Sequence, residues 1–309
     1  MFGVSPARVV GDMHLADIAT KIERRECVLF LGAAVHAAPT PDSLEAPPDL
    51  DRTWPRAVRP PIGSGLSMRL AERSGFSARH PDDDPRNLQR VSLDYEIEKQ
   101  RRSLIDAVRD EVQTGKAGSP LVDALAALDF PVVVTTNYDT HFEDALYRRA
   151  KRPFVSAYKS NVETSERTDD YPTLFPSPEA PFVVKIHGDI QKTPNSIVIT
   201  EEDYIQFVLR MSDKPPYYPV PEVARAYLAK CATLFLGYSL RDYNLRLLFK
   251  TLRWRMDTFP QTYSVDFHPD RLVQEVLENR TGQVSYLVQD VWTFVPKLVQ
   301  AVTSAGMTT

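Results

Sequence analysis

Thiols are nearly absent from this chain. Two cysteines, Cys27 and Cys231, stand far apart in 309 residues, and with no Cys-x-x-Cys pair a four-cysteine zinc site is excluded. Each precedes an apolar run, Val28-Leu29-Phe30 and Ala232-Thr233-Leu234-Phe235, which reads as a buried, inert thiol. A basic surplus is missing too: 37 Lys and Arg against 41 Asp and Glu leave a formal charge of −4, which argues against nucleic acid as a directly bound partner. No apolar stretch approaches the ~20 residues that span a bilayer, and Met1 to Val10 lacks the apolar centre of a secretory signal. A cytoplasmic protein with no membrane partner is expected. Several catalytic fingerprints are also absent: the P-loop, His-Glu-x-x-His and Gly-x-Gly-x-x-Gly. Gly63-Ser64-Gly65 has the wrong spacing for a nucleophile elbow.

Glycine is scarce, at 12 residues, and proline abundant, at 25. The prolines are clustered, and each cluster rules out helix and central strand. Residues 37–63 and 153–181 read as irregular loops, and Lys214 to Pro221 as a third. A loop as long as the first is expected to be functional, as a lid, or mobile. Trp54 within it reads as an exposed aromatic serving lid closure or assembly, or else as packing locally.

Between the loops, short apolar runs alternate with helical patterns. Cys27–Leu31, Pro131–Val134, Phe182–Ile186, Ile197–Ile199, Thr233–Leu236, Thr262–Phe267 and Val284–Leu287 read as strands. Several are apolar on both faces, as in a parallel sheet covered by helices on both sides. Ser119-Pro120, Thr200-Glu201-Glu202-Asp203, Ser239-Leu240-Arg241-Asp242 and Asp290 supply helix-start signals. Leu88, Val91, Tyr95, Leu104, Val108 and Val112 recur at helical steps with no strand between, so residues 64–124 read as an inserted helical module. The whole chain, 1–309, reads as one domain. Arg241, Arg246, Lys250, Arg253 and Arg255 form a solvated cationic helix face by default, and a partner surface as the alternative.

In an open parallel sheet, ligands bind beyond the carboxyl ends of the strands. Four strands end in small or hydrogen-bonding residues: Gly32-Ala33-Ala34-Val35-His36, Thr135-Thr136-Asn137-Tyr138-Asp139, His187-Gly188-Asp189 and Gly237-Tyr238-Ser239. Taken singly, Gly237 and Ser239 serve strand-to-helix turns as readily as a ligand. An imidazole, an amide and a carboxylate converging on one edge point more strongly to a site.

These four segments resemble, in order and approximate spacing, the sirtuin motifs Gly-Ala-Gly-x-Ser, Gln-Asn-Ile-Asp, His-Gly and Gly-Thr-Ser. Thr-Thr-Asn-Tyr-Asp and Gly-Tyr-Ser-Leu-x-Asp look most like the prokaryotic sirtuin-like branch, whose members consume NAD in defence against phage. The likeness covers roughly residues 20 to 290. It implies a Rossmann-like sheet binding NAD. Carried over position by position, Asn137 would hold the nicotinamide ribose and position a water, and His187 would be the general base. Asp139 would contact the nicotinamide amide, while Gly32, Ala33, Ala34, Gly237, Tyr238 and Ser239 would line the phosphate and adenosine ribose path. Asp266 would bind the adenine ribose hydroxyls, or else cap the turn at His268-Pro269.

Two departures matter. Zinc-module cysteines are missing, which disfavours peptide deacylation and favours water as acceptor, with no metal required. Ala34 and His36 stand where the family has glycine and serine. A methyl at 34 is tolerable at negative φ, but not where the residue needs φ > 0 or a ligand in contact with its backbone, and His36 would bind phosphate as a cation or mark an altered site. The expected function is therefore NAD hydrolysis to nicotinamide and ADP-ribose, restrained within a homo-oligomer or by a defence-system partner protein. A catalytically degenerate NAD or ADP-ribose binding scaffold is the rival, and NAD-dependent deacylation the third reading. An imidazole with a pKa near ~6.5 would take a proton at neutral pH.

Overall fold

The computed structural model describes residues 6–41, 43, 45–160, 175–210, 220–240, 246–247, 260–280 and 284–305. Seven strands form one sheet: β1 (Cys27–Leu31), β2 (Val132–Thr135), β3 (Phe154–Ala157), β4 (Phe182–Lys185), β5 (Ala232–Leu236), β6 (Thr262–Val265) and β7 (Ser285–Leu287). Their order is β3-β4-β2-β1-β5-β6-β7, and every pairing is parallel. With the edge strand β3 set aside, the other six, counted along the chain, run 3-2-1-4-5-6, the Rossmann order. The order reverses between β1 and β5, and sheets of this kind bind ligands at the carboxyl ends of the strands where it does so.

Strand alternation sorts the apolar side chains onto two faces. Cys27, Leu29 and Leu31 join Val133, Val183 and Leu234 on one side, against Ile18 and Ile22 of α1 (Pro6–Glu23), Leu125 of α6 (Pro120–Ala126), Leu146 of α7 (His141–Arg148), and Phe294 and Leu298 of the closing helix Val291–Ala305. Val28, Phe30, Val134, Val184 and Phe235 face the other way, against Phe207 of α8 (Glu201–Arg210) and Leu228 of α9 (Glu222–Lys230). Two covered faces explain the continuous apolar runs.

Between β1 and β2 the chain is helical. A short α2 (Leu50–Thr53) precedes α3 (Gly63–Ser74), α4 (Phe76–Arg79) and α5 (Leu88–Val112). Leu66, Leu70, Phe76, Val91, Tyr95, Leu104 and Val108 form a third apolar cluster, which includes Tyr138, Ile190, Ile197 and Ile199. These helices therefore pack over the turns that follow β2 and β4. Gln100 interrupts α5 at φ 70, ψ 156, a conformation that side-chain-bearing residues adopt only under strain.

Three expectations need correction, and a choice left open at Trp54 is resolved. Ile197–Ile199 is not a strand. Its backbone is instead satisfied by His187 O, Arg101, Tyr138 Oη and Asp203, and its side chains are apolar because Ile197 and Ile199 fill the third cluster and Val198 the second face of the sheet. Within 153–181, Phe154–Ala157 is a half-buried edge strand. The proline stretch 37–63 contains the helical turns Leu50–Thr53 and Arg56–Val58. Trp54 there is buried, with its Nε1 donating to Ala117 O at 2.9 Å and the Arg59 guanidinium 4.6 Å from its ring. Local packing, not exposure, describes it. Cys27 and Cys231 are free and buried, as expected.

The helix starts behave differently. Thr200 and Asp203 form a reciprocal cap, with Asp203 N donating to Thr200 Oγ1 at 3.1 Å and Thr200 N to Asp203 Oδ2 at 3.0 Å. Asp290 caps the closing helix through Trp292 N and Thr293 N. Ser119 stands at the α6 cap but spends its hydroxyl on Val35 O, 2.7 Å away. The cap involving Asp242, the residues of the Lys214–Pro221 stretch before Val220, and the cations 241, 250, 253 and 255 lie outside the described residues. No helix among the described residues is long and apolar enough to cross a membrane.

Candidate functional site

The crevice between β1 and β5 is closed by two glycines. Gly32 N donates to Leu236 O at 2.8 Å, and Ala34 N to Gly237 O at 3.1 Å. A Cβ on Gly32 would stand 2.3 Å from Gly237 O, and one on Gly237 would stand 2.5 Å from Gly32 O. Gly237 also has φ +74, the left-handed region that favours glycine. Both glycines are needed for backbone to pass backbone.

After Gly32, residues Ala33–His36 form a single 3-10 turn. Ala34 is not among the residues with positive φ, so its methyl group is unstrained. His36 is buried, and its Nδ1 accepts the Ser119 N–H at 3.2 Å. Burial pushes its pKa down to about 4, with Asp139 opposing and His141 assisting. Of the two readings of position 36, a buried ring that already accepts the Ser119 N–H favours an altered site over a cationic phosphate ligand. His141 is likewise buried, its Nε2 donating to Val112 O at 3.0 Å.

Tyr238 bridges the two halves of the edge. Its hydroxyl lies 3.1 Å from Thr136 N, 3.1 Å from Thr136 Oγ1 and 3.1 Å from Leu31 O, joining the end of β5 to the ends of β1 and β2. Ser239 beside it is exposed.

Asn137 and His187 occupy equivalent places. Thr135 of β2 is in register with Lys185 of β4, and each of the two residues stands two positions further on. The Asn137 backbone N donates to Thr135 Oγ1 at 3.0 Å, while its side-chain Oδ1 is buried with no protein donor. An unpaired buried acceptor costs about 1–3 kcal/mol, so it is a feature that function would have to offset. His187 is buried between the rings of Tyr204 (5.0 Å) and Phe207 (5.3 Å), both edge-on. Tyr204 Oη lies 3.5 Å from its Nδ1. Burial lowers its pKa to about 3, against the pull of Asp203. The expectation of an imidazole titrating near ~6.5 is thus corrected. His187 is neutral at physiological pH and is a weak base in this state.

Asp139 accepts the His141 N–H at 3.0 Å. Burial alone would raise its carboxyl, but His36, His141 and Lys185 overcome that and hold it below the usual range. Asp266, at the end of β6, caps the turn by accepting His268 N–H at 3.0 Å. That is the role weighed against ribose binding, but its second oxygen, Oδ2, is buried with no hydrogen-bond partner.

Sequence placed Asp189 at a strand end but missed its pairing with Lys185, and missed Lys185 and Glu143 altogether. Lys185 Nζ lies 3.0 Å from Glu143 Oε1 and 2.9 Å from Asp189 Oδ2, with Lys185 and Asp189 fully buried. Burial alone would lower the Lys185 pKa, but Glu143, Asp189 and Asp139 reverse this and raise it. Burial pushes the Glu143 carboxyl up, which Lys185 offsets only in part. The available signal was a lysine in an otherwise apolar strand with an aspartate four residues on; nothing in sequence marks Glu143. Among the described residues, no group of three or more His, Cys, Asp or Glu side chains could hold a metal ion.

The two depressed histidines carry a prediction. Above the unfolded value of about 6.5 they are neutral whether folded or not, and their contribution to stability is complete. As pH falls below that value the unfolded chain takes protons that the folded chain refuses, until the folded values of about 4 and about 3 are reached. Stability should therefore drop by roughly 1 kcal/mol per pH unit for each histidine. Urea midpoints measured from pH 7.5 to 5 should decline; a flat profile would contradict neutral burial of these rings.

Comparison with known proteins bears on the same segments. The family model described as "SIR2-like domain" matches residues 131–286, which span β2 to β7. Defense-associated sirtuin 2 of Bacillus subtilis is 25% identical over 174 residues, 55% of this chain and 15% of the relative. The NAD(+) hydrolase ThsA of Enterococcus faecium is 31% identical over 130 residues, 42% of this chain and 24% of the relative. ThsA of Acinetobacter baumannii is 26% identical over 153 residues, 50% of this chain and 28% of the relative. These matches thus span between 15% and 28% of the length of the relatives.

Proposed function

This chain belongs to the SIR2-like family, and from that premise we propose that it hydrolyses NAD at the nicotinamide–ribose bond, giving nicotinamide and ADP-ribose. The observation that carries the reading is Asn137. Its Oδ1 is a buried acceptor without a protein partner, at the carboxyl end of β2 and in register with the strand that leads to His187.

The chemistry suits such a site. Nicotinamide leaves as a neutral ring from a cationic one, so the ribose passes through an oxocarbenium-like state. The protein has to hold the ribose and a water in line, and orientation of that kind contributes several kcal/mol. Asn137 Oδ1 accepts from the water or a ribose hydroxyl. His187, neutral in the resting protein, accepts a hydrogen bond and takes the proton only as the reaction generates it. Gly32, Ala33, Ala34, Gly237, Tyr238 and Ser239 border the phosphate path, Asp139 supports the nicotinamide end, and Asp266 Oδ2 receives ribose hydroxyls. The name of one relative, defense-associated sirtuin 2, supports placing this activity in defence; its direction against phage and its restraint by a homo-oligomer or a partner protein are part of the proposal.

Incubation of the purified protein with NAD, alone and with extract from phage-infected cells, tests the reading by chromatography of nicotinamide and ADP-ribose. Binding of NAD without turnover in both arms would favour a scaffold. The tight engagement of Tyr238 and His36 by the protein itself is the observation on that side. A requirement for an acylated peptide would favour deacylation. The pH profile adds a prediction: because burial holds His187 at about 3, kcat/KM should show no acid limb near pH 6.5. A limb there would mean that the imidazole titrates as an ordinary exposed one.

A further inference from the structure

Strand β4 should end on an apolar side chain. Val183, two residues earlier and on the same face, joins the main core, and period-two alternation directs position 185 to that side as well. A lysine stands there, fully buried. Burying an ammonium costs several kcal/mol, and well-packed apolar residues commonly replace buried ion pairs with no loss of stability. Fold stability is therefore a poor explanation for this residue.

Its contacts suggest another. Nζ donates to Asp139 O and reaches Tyr138 O at 3.4 Å, both in the turn that follows Asn137. It pairs with Asp189 Oδ2, 2.9 Å away, in the turn that follows His187. Glu143 Oε1, 3.0 Å away in the first turn of α7, completes the shell. Asp189 is itself fixed, since its Oδ1 accepts Gln191 N at 2.8 Å and Lys192 N at 2.7 Å. One direct backbone bond, Ile190 N to Tyr138 O at 3.0 Å, crosses between the same turns. We propose that Lys185 is a positioning residue, whose ammonium ties the Asn137 turn to the His187 turn and so sets the spacing of the two groups that act on NAD. The inference rests on the hydrolase reading above.

The test neutralises Lys185 together with both carboxylates that pair with it, leaving of the cluster only Asp139, whose carboxylate still accepts the His141 N–H. In the triple variant K185M/E143Q/D189N, kcat for nicotinamide release should fall about 10²-fold, while KM and the affinity for ADP-ribose, measured by titration calorimetry, stay within about threefold. A loosened fold would instead weaken ADP-ribose binding along with turnover. A folded triple variant with kcat within threefold of the parent overturns the proposal. If the triple variant does not fold, Asp189→Asn decides, because it keeps the acceptor for the backbone amides and removes only the charge linking Lys185 to the His187 turn. A fall in kcat of about tenfold with unchanged ADP-ribose affinity supports the tie, and an unchanged kcat overturns it. A parent protein that releases no nicotinamide in either arm of the assay above overturns the hydrolase reading and this inference together. Loss of the inference alone appears as an active parent with an equally active variant.

Discussion

Replacing Asn137 by alanine is expected to slow nicotinamide release by at least about 10²–10³-fold while leaving a protein that melts no earlier than the parent. The two halves of that result have one cause. A buried side-chain oxygen with no donor burdens the folded state by about 1–3 kcal/mol, and removing it returns that energy. Against this stands the loss of a small, partly polar side chain's packing, so the net change in stability should be near zero or favourable. A purely structural asparagine would behave in the opposite way, with a lower melting temperature and turnover lost only in proportion to unfolding. Nicotinamide release and thermal melting on the same preparation separate the cases. An Asn137→Ala protein that is destabilised and still active would remove the main support for the enzymatic reading.

The largest effect on stability should come from the glycine crossing. Gly32→Ala and Gly237→Ala should each cost about 3 kcal/mol or more, an amount typical of severe backbone overpacking. In Gly32→Ala the new methyl meets Gly237 O at 2.3 Å, although φ is an ordinary −107. In Gly237→Ala it meets Gly32 O at 2.5 Å and Val35 N at 2.6 Å, and it must also hold φ +74. Both obstacles are backbone, held by the register of β1 with β5, so nothing can swing aside. With an unfolding entropy of about 2.1 cal/mol/K per residue over 309 residues, each kcal/mol lowers the melting temperature by about 1.5 °C, so a drop of roughly 5 °C or more is expected. Ala34→Gly provides the contrast: with no strain to relieve it should change stability by about 1 kcal/mol at most. If Gly32→Ala melts with the parent, the close approach of the two strand ends is not as described.

The same crossing shows why alanine at position 34 puts no strain on the backbone. The relevant glycines are the two where one backbone passes another, and both are present. What distinguishes this edge is how much of it the protein already occupies. Tyr238 spends its hydroxyl on the ends of β1 and β2, and His36 serves α6. Asn137 Oδ1 and Asp266 Oδ2 are left as buried oxygens without partners, at the ends of β2 and β6 with the two strands β1 and β5 between them.

Sequence by itself determined the sheet and the positions at its edge. Six of the seven expected strands form, because a parallel strand covered on both faces has to be apolar throughout, and a short apolar run between breakers has few other uses. The Asn137, His187 and Gly237 turns were legible for a related reason: a strand that stops on small and hydrogen-bonding residues exposes them at one edge whatever the rest of the chain does. The half-buried edge strand Phe154–Ala157 left no such trace, because it carries no covered apolar run. Ile197–Ile199 misled in the opposite way, since an apolar triplet does not reveal whether its backbone bonds to a ladder or to side chains.

Only the tertiary structure decided which charges are real and where they act. His187 and His36 are ordinary imidazoles in sequence, and their depressed pKa values come from burial by segments distant along the chain, α8 for one and the Ser119 turn for the other. Lys185 looks like an interruption of a strand until Glu143, 42 positions before it, and Asp189 close around it. Desolvation and pairing depend on what surrounds a group in space. Hydrophobic period is written along the chain, and the environment of a buried charge is assembled across it.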